Sequence, residues 1–104
     1  MAFTGNEEHF ISLDTASEWT ANYRATIGPG ETIGEFFGKA WIQEILNQQD
    51  CVGIRIYNSI DDSGKKHFII SGVKENEDDL CNGKLAEAGL GSPPFSGVAN
   101  PLNS

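Results

Sequence analysis

The sequence predicts an α+β fold: two N-terminal helices packed on a small antiparallel sheet, followed by an irregular C-terminal tail rich in proline and glycine. Three observations predict it. Apolar residues recur at three- and four-residue spacing as far as Leu46, which lines them up along one side of a helix. From Cys51 the period drops to two, the repeat of a strand. Beyond Gly83 glycine and proline crowd the chain and no period survives.

Residues 1–10 show no period and read as a loose arm from which Phe3 or Phe10 can dock on the body. Ser12 is placed to accept a hydrogen bond from the free amides of a first turn, and Asp14 sets a negative charge near the positive end of the helix dipole. Ala16, Trp19, Thr20, Tyr23 and Ile27 then form one stripe, so a short amphipathic helix is expected to end near Thr26. Gly28-Pro29-Gly30 breaks it. Thr32-Ile-Gly-Glu35 has the pattern of a capping box, which predicts a second helix carrying Ile33, Phe36, Phe37, Ala40, Trp41, Ile45 and Leu46 on a broad apolar face at the centre of the core.

Cys51-Val-Gly-Ile-Arg-Ile-Tyr57 places Val52, Ile54 and Ile56 on one side of a strand and Arg55 and Tyr57 on the other. The polar turn containing Asp61-Asp62-Ser63-Gly64 leads to a return strand over 66–73, giving an antiparallel hairpin, with a third short strand expected around Leu80 and Cys81. Residues 83–104 read as an extended tail in which Pro93-Pro94 favours the polyproline conformation and Phe95 and Leu102 supply anchors for a groove on this molecule or another. A chain of 104 residues encloses one core, so one domain is expected, with 11–82 as its body.

Apolar residues at 38% and charged residues at 21% are enough to bury a core. Fifteen acidic against seven basic residues leave a net charge of -8, which repels phosphate backbones and anionic lipid headgroups and argues against nucleic acid and membrane surfaces as partners. The first ten residues lack the basic start and apolar run of a secretory signal, and no stretch approaches the roughly 20 apolar residues of a membrane span, so the cytoplasm is the expected location. Cys51 and Cys81 read as two reduced, partly buried thiols.

No metal site, cofactor or catalytic constellation is expected. His9, Cys51, His67 and Cys81 lack the two-to-four-residue ligand spacing of structural zinc sites. Neither cysteine stands beside a histidine and an orienting carboxylate in the sequence. The acidic runs Asp61-Asp62-Ser63-Gly64 and Glu75-Asn76-Glu77-Asp78-Asp79 lack the twelve-residue spacing of a calcium loop and read as solvated turns. Arg55 is the one basic residue in an otherwise apolar strand and calls for an acidic partner, for which Glu44 and Asp50 are the nearby choices.

The order of helix, capped helix, the strand at 51–57, and Pro93-Pro94-Phe95 followed by Asn100-Pro101-Leu102-Asn103 resembles a family of uncharacterised small bacterial proteins, over most of the chain from Ile11 onward. Cysteines often flank the Pro-Pro-aromatic element in that family, where this sequence has Ser92 and Ser96, so the resemblance implies no thiol or metal role for the tail. It implies a compact domain with a docked tail and adds no mechanism.

Three function classes follow. The leading expectation is a non-enzymatic interaction protein, a self-associating subunit or an adaptor, using Trp19, Tyr23, Phe36, Phe37, Trp41, Phe95 and Leu102. An acidic inhibitor or immunity-type protein covering a basic partner is the second, and it requires the acids of the two turns to form one contiguous surface. The third is a small enzyme or anionic-ligand-binding domain in which Arg55, Tyr57 and His67 converge.

Overall fold

The computed structural model describes residues 2–87 and 89–104. Its elements run α1 (Leu13–Arg24), β1 (Gly34–Phe36), α2 (Lys39–Leu46), β2 (Cys51–Ile60), β3 (Lys66–Lys74), β4 (Leu85–Ala86) and β5 (Leu90–Ser92). Two helices and two antiparallel sheets make the fold α+β. The chain divides into two compact units, one formed by residues 1–7 and 37–89 and the other by 8–36 and 90–104.

The first unit is built on the hairpin that the period-two pattern predicts. β2 pairs with β3 from Ile60↔Lys66 to Gly53↔Val73, with an irregularity between Cys51 and Gly53. β4 adds to the far side of β3 through Ile70↔Ala86 and Ser71↔Leu85, so the sheet order is β2-β3-β4. The third strand therefore lies at 85–86 and not around Leu80 and Cys81. The 75–79 turn makes only a single bridge, Val73↔Asp79, and Leu80 N–H donates to the Gly72 carbonyl.

α2 covers one face of this sheet. Ile45 is fully buried against Ile70 and Ala86, with Phe37 and Ile42 packed around them. Gln48, just past the helix, ties its end down: the side-chain amide donates to the Ile45 carbonyl at 2.9 Å and its oxygen accepts from Lys84 N–H at 2.7 Å. Glycine at position 72 eases this approach, because a Cβ there would press on Cys51 Sγ, Gln48 Nε2 and Leu80 Cδ1 at 3.0–3.1 Å. The arm belongs to this unit too: Phe3 N–H donates to the Glu75 carbonyl at 2.8 Å, whereas Phe10 is 83% exposed.

The second unit departs further from expectation. α1 forms as predicted, with the Ser12 hydroxyl accepting from Thr15 N–H at 3.1 Å. The expected second-helix start does not form. Gly34–Phe36 is a strand paired with Leu90–Ser92, Ile33 N–H donates to the Ser92 carbonyl, and α2 begins only at Lys39 with Gly38 as its cap. A local capping pattern is worth about 1 kcal/mol, which long-range backbone pairing readily outweighs. The tail correspondingly contains both β4 and β5. Phe95 N–H donates to the Gly91 carbonyl, so the prolines, both preceded by cis peptide bonds, sit in a turn where an extended polyproline segment was expected.

The tail docks on α1 through polar contacts. Arg24 donates to the main-chain oxygens of Leu102 at 2.6 Å and Ser104 at 2.8 Å, and Ser17 Oγ donates to the Pro101 carbonyl at 3.0 Å. The expected apolar anchors Phe95 and Leu102 are 59% and 45% exposed.

Truncating Ile45 removes the one side chain enclosed on all sides among the described residues. Ile45→Ala is expected to cost about 2–5 kcal/mol in urea unfolding, while Val98→Ala, at an exposed position, should stay within about 0.5 kcal/mol.

Candidate functional site

The polar side of the hairpin carries the densest cluster of interacting side chains. Arg55 and Ser71 face each other across the β2–β3 ladder, and Tyr57 follows two residues along, so strand alternation puts all three on one face. The 75–79 turn closes with Lys74 N–H donating to the Asp78 carbonyl and Glu77 N–H to the Lys74 carbonyl, which returns Asp79 alongside Val73. Asp79 then collects all three groups. Its Oδ1 accepts from Arg55 Nη1 at 2.8 Å and from Ser71 Oγ at 3.1 Å, and its Oδ2 accepts from the Tyr57 hydroxyl.

Arg55 Nη1 also donates to the Glu77 carbonyl at 3.2 Å, bracing a residue held at φ 77°. The Phe3 ring lies over the guanidinium at 5.8 Å, within cation–π range. The carboxylate is thus supplied with donors from β2 and β3, which is how a half-buried charge is tolerated. The Tyr57 hydrogen bond, then Ser71 and Arg55, hold Asp79 below the ordinary carboxylate range, and the same bond to Asp79 holds the Tyr57 proton, raising its pKa above 10.0.

At the opposite end of the hairpin Asp61 organises the turn. It accepts from the Ser63 hydroxyl and amide at 2.7 and 2.9 Å and from Lys65 N–H at 2.9 Å, and His67 Nε2 lies 3.1 Å from its second oxygen. These donors, Ser63 Oγ foremost, push its pKa down to about 2.

The sequence-derived ligand trio is therefore divided. Arg55 and Tyr57 meet at Asp79, while His67, on the same face of the ladder, pairs with Asp61. The partner of Arg55 is Asp79, not Glu44 or Asp50, and Glu44 pairs instead with Lys84. Asp79, Ser71 and Phe3 escape a sequence reading because they reach Arg55 only through the turn and the arm. The available signal was that a tight turn at 74–78 must bring residue 79 back beside the strand carrying Ser71.

The candidate interaction residues are also divided. Trp19 is 62% exposed and Phe36 60%, Tyr23 and Trp41 are less so, and Phe37 packs against the Ile45 cluster. Trp41 further fixes its indole N–H on the Leu85 carbonyl at 2.7 Å. The apolar stripe predicted for one helix is thus shared between a strand of one unit and a helix of the other. The two acidic turns stand at opposite ends of β3, about 26 Å apart for nine residues of strand. They do not merge into the contiguous surface that an acidic inhibitor requires.

Among the described residues no group of three or more His, Cys, Asp or Glu side chains is arranged to hold a metal ion, both cysteines are free thiols, and no helix is long and apolar enough to cross a membrane. No family model, curated protein or solved structure matches the chain.

Two outcomes follow from the electrostatics. Asp79 has a lowered folded pKa, so its contribution to stability is present above the ordinary carboxylate range and fades as pH falls through the lowered value. Asp79→Ala should cost about 1–3 kcal/mol at neutral pH, and Tyr57→Phe should move the Asp79 titration, followed by carboxyl NMR, upward toward its ordinary value. Asp61 should titrate near 2, and stability measured between pH 4 and 2 should fall less steeply in Asp61→Asn than in the parent chain, because the variant has already lost the group that protonates there.

Proposed function

We propose that this chain is a non-enzymatic interaction protein that associates with copies of itself. The observation that carries the reading is the distribution of apolar surface. Seventeen large apolar residues are exposed, against three buried ones, Ile45, Ile70 and Val73, among the described residues. Isolated exposed apolar side chains are ordinary, but here three of the four positions from 54 to 60 on one face of a single regular element carry them: Ile54, Ile56 and Ile60 of β2 are 40%, 55% and 70% exposed.

The polar clusters support the same reading. Arg55 and Tyr57, the groups best suited to receive an anionic ligand, are already committed to Asp79. The separation of the acidic turns favours self-association over capture of a basic partner.

Light scattering coupled to size-exclusion chromatography tests the proposal. The expected mass is a multiple of 11.3 kDa that persists at high salt, since apolar contacts are not screened. A mass of one chain at every concentration and salt overturns it.

A further inference from the structure

We infer that the free edge of β2 is the self-association surface, and that it pairs antiparallel with the β2 edge of a second copy to make one continuous six-stranded sheet. This rests on the proposed self-association and gives it a location and a register.

The backbone supplies the first argument. β2 is the outer strand of the order β2-β3-β4. In an antiparallel ladder residues alternate between those whose amide and carbonyl face the partner strand and those whose groups face away. The phase is fixed at both ends: Asp61 N–H donates to the Lys65 carbonyl, continuing the ladder from Ile60↔Lys66, and Leu80 N–H donates to Gly72 on the side of β3 away from β2. By that phase Gly53, Arg55, Tyr57 and Ser59 bond to β3, and the backbone groups of Ile54, Ile56, Asn58 and Ile60 point outward. None of these four takes part in a backbone hydrogen bond outside the ladder among the described residues.

The second argument is the absence of the devices that normally protect such an edge. Over ten residues β2 has no proline and no acid, and its one charge, Arg55, is drawn to Asp79. The four outward positions are Ile, Ile, Asn and Ile, and the face beside the edge carries the exposed Ile54, Ile56 and Ile60. The opposite edge, β4, is two residues long.

The third argument selects a second copy as the occupant. The outward window is bounded by the arm, where a Cβ on Gly5 would come within 2.8 Å of the Val52 carbonyl, and by the turn at Asp61. Within it only one two-fold register pairs all four outward residues: Ile54 with Ile60 of the second copy and Ile56 with its Asn58, each repeated by symmetry, with Tyr57 on the axis. Isologous pairing of this kind closes after two chains. The register sets Arg55 opposite Ser59 and Asp61 opposite Gly53, so no like charges face each other in spite of a net charge of -8 per chain. The isoleucines of both copies then lie on one side of the joined sheet and form an apolar band in which the two Asn58 side chains are the polar members.

Hydrogen exchange by NMR over a concentration series, together with mass measurement, tests the pairing. The expected result is a dimer in which the amides of Ile54, Ile56, Asn58 and Ile60 slow as concentration rises. Asn58→Pro, which removes an outward amide and leaves the bonds to β3 in place, and Ile56→Lys, which sets a charge in the apolar band, should each weaken dimerisation on the order of tenfold or more with the monomer spectrum retained. A chain that is monomeric at every concentration overturns both the self-association and its location. A dimer with unchanged exchange at the four amides and full tolerance of both variants keeps the self-association and overturns the edge pairing. Intermolecular NOEs from residues 96–104 to β2 overturn the two-fold form, because the edge would then hold the neighbour's tail.

Discussion

The hairpin unit depends on the enclosure of Ile45. This side chain, set on the last turn of α2, meets Ile70 of β3 and Ala86 of β4, so a single contact region fixes the helix on the sheet and holds the short third strand in place. The devices around it are matched to that contact. Gln48 joins the helix end to the segment entering β4, and Gly72 leaves room for that end to sit close to β3. So few side chains are enclosed that the hydrophobic stabilisation, about 1.5–3 kcal/mol per fully buried aliphatic side chain, rests on a handful of positions.

Polar contacts take over where the apolar core stops. Asp79 gathers Arg55, Tyr57 and Ser71 on the opposite face of the ladder, and the resulting network anchors the 75–79 turn that the arm also reaches through Phe3. In the second unit Arg24 does the comparable work for the tail by holding main-chain oxygens. Charged hydrogen bonds thereby order segments too polar to be held by packing.

What the sequence disclosed and what it hid divide along sequence separation. α1 and the β2–β3 hairpin were legible because a cap, a period and a turn act between near neighbours, as at Ser12 and at Asp61. The strand at Gly34–Phe36 was not, because its partner is a glycine-bearing segment more than fifty residues away and its own residues mimic a helix start. The same reason separated Arg55 from its acid: Glu44 and Asp50 are nearer in sequence, while Asp79 is 24 positions on. Of the candidate residues, the identities of Arg55 and Tyr57 as members of one polar cluster were readable from strand alternation. The exposure of Ile54 and Ile56 was not, since alternation marks one face of a strand as apolar without saying how far α2 reaches across it.

The two units are interleaved along the chain, the hairpin unit being inserted between Phe36 and Leu90 of the other. Synthesis runs from the N-terminus, so residues 37–89, with the arm already made, hold everything the hairpin unit contains before β5 exists. β1 waits for a partner made more than fifty residues later, and Arg24 waits for the final turn of the tail. Closing β1 on β5 therefore means closing a loop of more than fifty residues, whereas β2 and β3 meet across a short turn, so the hairpin is the pairing that local chain supplies and the second unit is the one that waits.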